Sequence, residues 1–326
     1  MAKWLLVILT LFFAQVAYPQ TSWKEAKKTK KATIKVYHVN AKPFIYQEKG
    51  TTKGLEADIM QEFAKFLEKE YKIEVKLSFH YLQDFGELYQ LVKGGYSGTF
   101  AVSSFSITEE RKKEIQFSPA YMPDIEVLVS SKNLPIIKDT AELATKFKGI
   151  TAVRMPRTTF ATNLAQLERL IPYLKYEDVE QYSAIAPKVA TNNNQIAYMQ
   201  LATYFLSIKQ NLTIKRQNLF KKEKPGRAIV FPKESDWTEP VNAFFRSGTF
   251  KPWVNEEIKK YFGNDVNDLI WQVANTNNQN NKDVLLPTKE KELKELEITR
   301  KELEVSRQRM IRNIFIGVVG LGMKQK

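Results

Sequence analysis

Residues 103–121 read SSFSITEERKKEIQFSPAY, with hydroxyl side chains at the start and charged side chains in the middle. Residues 98–103 predict a short strand, and a helix is predicted to begin after Thr108. Two interpretations fit this pattern. In one, Ser106 or Thr108 caps a helix whose Arg111 faces solvent. In the other, the helix N-terminus and Arg111 bind an anion together.

Strand and helix signals alternate on both sides of this stretch. Further strands are predicted at residues 33–39, 73–79, 125–130, 149–154 and 228–231. Helices are predicted at residues 55–67, 85–92, 198–208, 239–245 and 254–262, and another is predicted to start near Thr158. This alternation predicts an α/β fold with a mainly parallel sheet covered by helices.

The length and composition suit two lobes with buried cores. The chain has 326 residues, of which 43% are hydrophobic and 12% aromatic, and this composition excludes a disordered chain. It contains no cysteine, so neither a disulfide framework nor a thiol-linked lipid anchor is expected. The formal net charge is +14. We expect no nucleic-acid partner, because the N-terminus indicates export.

The N-terminus has the features of an export signal. An apolar run at residues 4–14 is followed by an expected cleavage point near Ala17 or Gln20. We therefore predict a signal peptide at residues 1–20 and a periplasmic or other extracytoplasmic location, with an uncleaved anchor as the alternative. Residues 21–32 are rich in lysine and are predicted to form a basic, solvated tether.

The composition changes near the C-terminus. Residues 264–287 are predicted to form a polar linker, and residues 288–310 a long helix or a coiled coil through which two chains would dimerise. The heptad positions are Leu296, Leu303 and Met310. Residues 311–323 are apolar but shorter than a membrane span. They are interpreted either as the start of a transmembrane segment or as an interfacial anchor.

Residues 103–121 resemble the signature of the amino-acid-type periplasmic solute-binding proteins, extracellular solute-binding family 3. Further similar segments are KPF at 42–44, GLEADI at 54–59, VLVSSK at 127–132, GRAIVFPKES at 226–235 and FKPWVNEEIKKYFG at 250–263. The resemblance covers residues 33–263. It implies a two-lobed periplasmic-binding-protein type II fold with a hinge of two crossing strands, followed by a C-terminal helical tail. Lobe one comprises residues 33–124 and 226–263, and lobe two residues 125–225.

The resemblance also implies a binding site for a small carboxylate-bearing solute, an amino acid or an analogue. Arg111 matches the position that binds the carboxylate, for which a guanidinium offers two parallel donors. Phe85 matches an aromatic wall of the pocket, although its helical spacing fits a core position equally well. Thr158 and Thr159 match a hydroxyl pair that caps a helix and completes the carboxylate site. The implied ligand-binding residues are Phe85, Ser103, Ser104, Ser106, Arg111, Thr158, Thr159 and Gln200.

Three positions depart from the family pattern. Gln200 stands where the family usually has an aspartate that pairs with an α-ammonium, and a neutral amide holds an ammonium less strongly. Ala41 replaces an aromatic residue, and Arg157 replaces a glycine. The first two changes favour a ligand that lacks a free ammonium or is bulkier. Arg157 either adds positive charge to the cleft or faces solvent.

Three functional classes stay open. The first is delivery of the ligand to an ABC permease, and the second is ligand sensing through a membrane signalling partner, which the C-terminal helix favours. The third is a dehydratase-like enzyme, which needs an acid–base pair in the cleft. His38 is interpreted as a structural residue, so no enzyme activity is predicted. The sequence has no cysteine, no histidine cluster and no glycine-rich phosphate loop, so neither a metal nor a cofactor is predicted.

Overall fold

The computed structural model describes residues 20–276 and 279–322, and within the final helix it describes the side chains of residues 285–312. The predicted signal peptide, apart from Gln20, lies outside the described residues. So do all but two of the side chains of the predicted apolar segment at residues 311–323.

Lobe one is built around three parallel strands. β1 (Lys31–His38) lies between β4 (Glu74–Tyr81) and β5 (Thr99–Ser106). A small hairpin of β2 (Tyr46–Glu48) and β3 (Thr51–Lys53) follows β1. The helices are α2 (Leu55–Tyr71), α3 (Phe85–Lys93), α4 (Glu109–Lys112), α9 (Thr238–Arg246) and α10 (Phe250–Phe262). The predicted apolar stripe of α2 is fully buried against the sheet.

Lobe two carries the other end of the sheet. Its strands are β8 (Thr151–Arg154), β9 (Lys175–Asp178) and β10 (Gln195–Gln200). Its helices are α5 (Leu143–Lys146), α6 (Thr159–Ala165), α7 (Ile185–Thr191) and α8 (Leu201–Lys209). The helix predicted at residues 198–208 is wrong at its start, because the first three residues belong to β10. That strand is buried on both faces, and such a strand lacks the alternation that distinguishes it from a helix.

Two long strands cross between the lobes. β7 (Met122–Ser131) and β11 (Ile214–Pro232) pair antiparallel, and the far end of β11 pairs with β5 and with β6 (Ile115–Phe117). The main sheet has the order β4-β1-β5-β11-β7-β10-β8-β9. This architecture confirms the predicted two-lobed α/β fold with a hinge of two crossing strands.

The segment predicted as a basic tether is instead structured and packed on lobe one. Residues 23–29 form α1 (Trp23–Thr29), and the last two residues of the predicted tether already belong to β1. Trp23 is only 2% exposed, and its ring lies 5.3 Å from the ring of Trp237. The lysines occupy the solvent face. The high charge of the segment therefore led to the prediction of a tether, although the segment is a helix with a narrow apolar stripe.

The predicted linker at residues 264–287 is also wrong. α11 (Asn264–Asn275) occupies its first half, and α12 (Gln279–Gly322) begins within its second half. Polar residues dominate this part of the sequence, but the apolar ones fall on one helical face. The buried side chains of α11 are Val266, Asn267, Leu269, Ile270 and Val273.

The start of α12 is attached to lobe two. Leu286 and Leu293 are buried, and Arg216 Nε of β11 lies 2.5 Å from Glu290 Oε1. Beyond these contacts the predicted heptad residues are exposed. Within the described ranges, no helix is both long enough and apolar enough to cross a membrane.

Candidate functional site

The cleft between the lobes holds a small inner cavity beside the crossing strands. Its volume is about 30 Å³, which is enough for roughly one water molecule, so the lobes are closed on each other. All eight residues predicted to bind a ligand line this cavity. They are Phe85, Ser103, Ser104, Ser106, Arg111, Thr158, Thr159 and Gln200. That these residues bind a ligand stays a prediction.

A larger outer chamber of about 810 Å³ adjoins the inner cavity. Arg111, Thr158 and Thr159 line both spaces, so they mark the boundary between them. Lobe one contributes the start of α3 and the α4 turn to the chamber wall, and lobe two contributes α6. Its volume lies in the range of pockets that enclose small organic ligands.

Arg111 is the main unbalanced charge at this boundary. Its guanidinium lies 5.5–5.7 Å from the ring centroids of Phe85, Tyr89 and Phe105, an arrangement that supports a cation. Nη1 donates to the carbonyl oxygen of Ser106 at 3.4 Å. Within the described part of the chain, no carboxylate forms an ion pair with Arg111, and burial lowers the pKa of its guanidinium.

Helix capping and cavity lining are compatible at this turn. The Arg111 N–H donates to the Thr108 hydroxyl at 3.2 Å, so Thr108 caps α4 while the Arg111 side chain turns into the cleft. Phe85 combines its two predicted roles in the same way. It is buried against Phe105, with 5.0 Å between ring centroids, and one side of it lines the inner cavity.

The lobes meet directly at Ser104 and Gln200. Gln200 Nε2 of lobe two donates to Ser104 Oγ of lobe one at 2.7 Å. Ser104 has a φ of +55°, a conformation that serine rarely adopts. Its N–H donates to both Glu56 oxygens, at 3.0 and 2.9 Å, and the Tyr121 hydroxyl donates to Oε1 at 3.0 Å. Burial raises the pKa of Glu56 to about 7.

Sequence reasoning missed a buried carboxylate that contacts the residues lining the inner cavity. Glu126 of β7 is fully buried, and Thr159 Oγ1 donates to its Oε1 at 2.7 Å. Ser106 Oγ donates to the same oxygen at 3.3 Å, and Asn163 Nδ2 donates to Oε2 at 2.5 Å.

Two cations from β11 balance this carboxylate. Arg227 Nη2 lies 3.2 Å from Glu126 Oε1 and 2.5 Å from Asp124 Oδ1, and Lys224 pairs with Glu126 Oε2. Burial opposes ionisation of Glu126, but Arg227 and Lys224 outweigh it and hold its pKa below the usual range. For Asp124, burial prevails and raises the pKa. A sequence signal existed, because both crossing strands carry charges within or beside apolar runs.

The two hydroxyls of the predicted pair, Thr158 and Thr159, have different hydrogen-bond partners. Thr158 caps α6, since its hydroxyl oxygen accepts from the Ala161 N–H at 3.4 Å. Thr159 directs its hydroxyl to Glu126 instead. His38, the histidine considered for catalysis, is buried with Nε2 3.4 Å from Thr52 Oγ1, and it lines neither the inner cavity nor the outer chamber.

The family of bacterial extracellular solute-binding proteins, family 3, matches residues 34–264. The chain belongs to this family. A curated relative, the membrane-bound lytic murein transglycosylase F of Methylobacillus flagellatus, is 23% identical over 265 residues. That match covers 80% of this chain and 54% of the relative, so the chain spans about half the relative's length.

Solved structures of amino-acid-binding proteins have the same fold. An ancestral arginine-binding protein bound to arginine is 20% identical with a TM-score of 0.57, over 71% of this chain and 98% of that chain. The ancestral amino acid-binding protein AncCDT-1, a precursor of cyclohexadienyl dehydratase, is 21% identical with a TM-score of 0.55. That match covers 73% of this chain and 98% of that chain.

Proposed function

We propose that the cleft binds a small carboxylate-bearing solute, an amino acid or an analogue, and that Arg111 anchors the carboxylate. The observation that carries this proposal is the Arg111 guanidinium, which lies among three aromatic rings without an ion pair in the described residues. A partly buried cation without a close anionic partner is costly. An incoming carboxylate removes that cost through two charge-assisted hydrogen bonds.

The surrounding side chains have matching roles in this proposal. Phe85 forms an apolar wall, and Thr158 and Thr159 bring lobe two against the ligand. Ser103, Ser104 and Ser106 supply lobe-one hydroxyls, although in this structure the Ser104 hydroxyl accepts from Gln200. Gln200 therefore makes a contact between the lobes in this structure. Its side chain is a neutral amide, so in this proposal an ammonium group on the ligand has no carboxylate partner at this position.

The test is a binding measurement on the full chain with Arg111→Ala. Isothermal titration against a panel of amino acids and dicarboxylates should give at least one solute whose affinity falls roughly 100-fold, because two charge-assisted hydrogen bonds are lost. Arg169→Ala, at an exposed arginine of lobe two, is the matched control and should bind as the wild type does. Unchanged affinity in Arg111→Ala would exclude Arg111 as the anchor.

The same proposal includes an extracytoplasmic location and a choice between delivery and sensing. Sensing has the stronger support, because α12 is held by lobe two, and α11 contacts α8 of lobe two as well as α10 of lobe one. Lys209 Nζ of α8 lies 2.8 Å from Asp265 Oδ1 of α11, and Arg216 pairs with Glu290 of α12. Lobe movement on ligand binding would therefore move α12 relative to lobe one. This movement would shift the conformational equilibrium of a membrane partner. Delivery to an ABC permease is the alternative.

Pairing of two chains through α12 belongs to this sensing proposal. With Leu296 and Leu303 at heptad position a, Glu295 and Glu302 fall at g, and Arg300 and Arg307 fall at e. A parallel pair then faces each glutamate with an arginine of the other chain. Sedimentation of the full chain in detergent should show a dimer that Leu303→Lys disrupts. The exposed Glu304→Lys, outside the stripe, should leave it intact, and a monomeric wild type would exclude pairing.

A dehydratase-like activity has weaker support. Burial lowers the pKa of His38 to about 4, away from the acid–base range near neutral pH, and raises the pKa of Glu56 to about 7. Neither side chain lines the inner cavity or the outer chamber, and an acid–base group must reach the substrate.

A further inference from the structure

A buried carboxylate lies directly behind the wall of the inner cavity, in contact with side chains that line it. Glu126 accepts hydrogen bonds from Ser106 of lobe one and from Thr159 and Asn163 of lobe two. The Ser106 and Thr159 hydroxyls also lie 3.3 Å from each other. Two of these donors, Ser106 and Thr159, are among those that the proposed function assigns to a ligand carboxylate. One protein side chain therefore satisfies them and links the two lobes.

Glu126 is held too firmly to be displaced at small cost. Lys224 and Arg227 approach it from β11, and all three side chains are largely or fully buried. Moving the glutamate away would leave two buried cations, with Asp124 as their remaining carboxylate partner among the described residues. Breaking a buried ion pair on one side is strongly unfavourable, because the other charge stays buried without compensation.

Arg111, in contrast, stays available. It forms no ion pair with Glu126 in this structure, and it lines the 810 Å³ outer chamber as well as the inner cavity. The free space on its inner side is only about 30 Å³. A ligand therefore has room on the outer side of the guanidinium and almost none on the inner side.

We propose that Glu126 determines specificity by occupying the place of a ligand carboxylate, so that a ligand reaches Arg111 only from the outer chamber. This inference rests on the proposed function and refines it. The expected ligand is a carboxylate-bearing solute larger than a single amino acid. A single amino acid uses the hydroxyls of both lobes for its carboxylate in the proposed mode, and Glu126 denies it those donors.

The test compares the full-length wild type with Glu126→Ala and with the nearly isosteric Glu126→Gln. Glu126→Ala frees the hydroxyl donors, leaves two cations facing the vacated space and should bind acetate, seen as a concentration-dependent rise in unfolding temperature. The wild type and Glu126→Gln should show no such rise. The affinity of Glu126→Ala for L-glutamate, measured by titration, should exceed that of the wild type at least about tenfold.

Other outcomes overturn the inference. Equal responses of the wild type and Glu126→Ala to acetate and L-glutamate would show that Glu126 does not compete with a ligand. If Glu126→Ala does not fold, Glu126→Ser decides, because it also vacates the carboxylate position and should strengthen L-glutamate binding; an unchanged affinity overturns the inference. Failure of the proposed function looks different, since Arg111→Ala would then leave the binding of every solute unchanged.

Discussion

Arg157 Nη1 of lobe two lies 2.5 Å from Asp84 Oδ1 of lobe one, so an ion pair joins the two walls of the outer chamber. The Arg157 side chain reaches Asp84 across Gly86. A Cβ atom on Gly86 would lie 2.2 Å from Arg157 Cδ, and the absence of a side chain is what allows the approach. The arginine that replaces the family's glycine is therefore directed at the other lobe and not simply at solvent.

Asp84→Asn should loosen the closed state with little effect on stability. The pair is more than half exposed on both sides, and exposed pairs contribute at most about 1 kcal/mol. Asparagine also retains the cap that Asp84 provides for α3, where Oδ1 accepts from the Glu87 N–H at 2.7 Å. Spin labels on Gln90→Cys and Gln166→Cys, on opposite walls of the chamber in a cysteine-free chain, should report a longer or broader distance distribution.

Two controls sharpen this measurement. Glu48→Gln breaks a comparably exposed ion pair with Lys53 inside lobe one and should leave the distance distribution unchanged. Gly86→Ala should displace the Arg157 side chain and reproduce the effect of Asp84→Asn. Identical distributions for the wild type and both cleft variants would show that the ion pair does not hold the lobes together.

Arg157→Gly should be more stable than Arg157→Ala by about 1 kcal/mol. Arg157 has a φ of +62°, and this left-handed conformation costs a residue with a side chain about 1–2 kcal/mol, a cost that glycine avoids. Both variants lose the same ion pair. The difference between their free energies of unfolding, measured with denaturant, therefore reports the cost of the left-handed backbone conformation. Equal stability, or a more stable alanine variant, would mean that the loop relaxes to another conformation.

Glu56 should make the folded protein less stable as the pH rises. Burial raises its folded-state pKa to about 7 from an ordinary value of 4.5. The folded state therefore binds a proton between these values that the unfolded state has released, and stability falls across that window by about 3 kcal/mol.

Glu56→Gln should flatten this dependence between pH 4.5 and pH 7. Its amide oxygen still accepts from the Ser104 N–H, so Ser104 keeps its unusual backbone conformation. Urea unfolding at several pH values measures the slope. The exposed Glu74→Gln should retain the wild-type slope, and a wild-type slope in Glu56→Gln would assign the effect to other groups.

Trp23→Ala should destabilise the protein by about 3–5 kcal/mol, as for other buried aromatic residues. Trp23 packs on Trp237 and Tyr71, so its removal leaves a cavity between α1 and the body of lobe one. Lys28→Ala, at an exposed position of the same helix, should change stability little. Denaturant unfolding distinguishes the two, and a neutral Trp23→Ala would restore the interpretation of this segment as a tether.

The features that could be predicted from sequence are those with local signals. The apolar residues of α2 recur at helical spacing because one face must be buried, and the structure buries that face. The stretch around Arg111 and the resemblance to the family implied the fold and eight of the residues that line the inner cavity. The prediction of a helix at residues 198–200 was wrong for a local reason as well. These residues belong to β10, and a strand buried on both faces lacks the alternation of apolar and polar residues.

The content of the cleft was decided by tertiary structure. Glu126 and Arg227 are 101 residues apart in the chain, and the pairing register of β7 and β11 brings them together. A sequence pattern indicates that a charge lies within an apolar strand, but not which partner neutralises it or which lobe supplies its hydrogen-bond donors. Burial, pairing and the shifted pKa values of Glu126 and Glu56 exist only when distant segments pack together and exclude water.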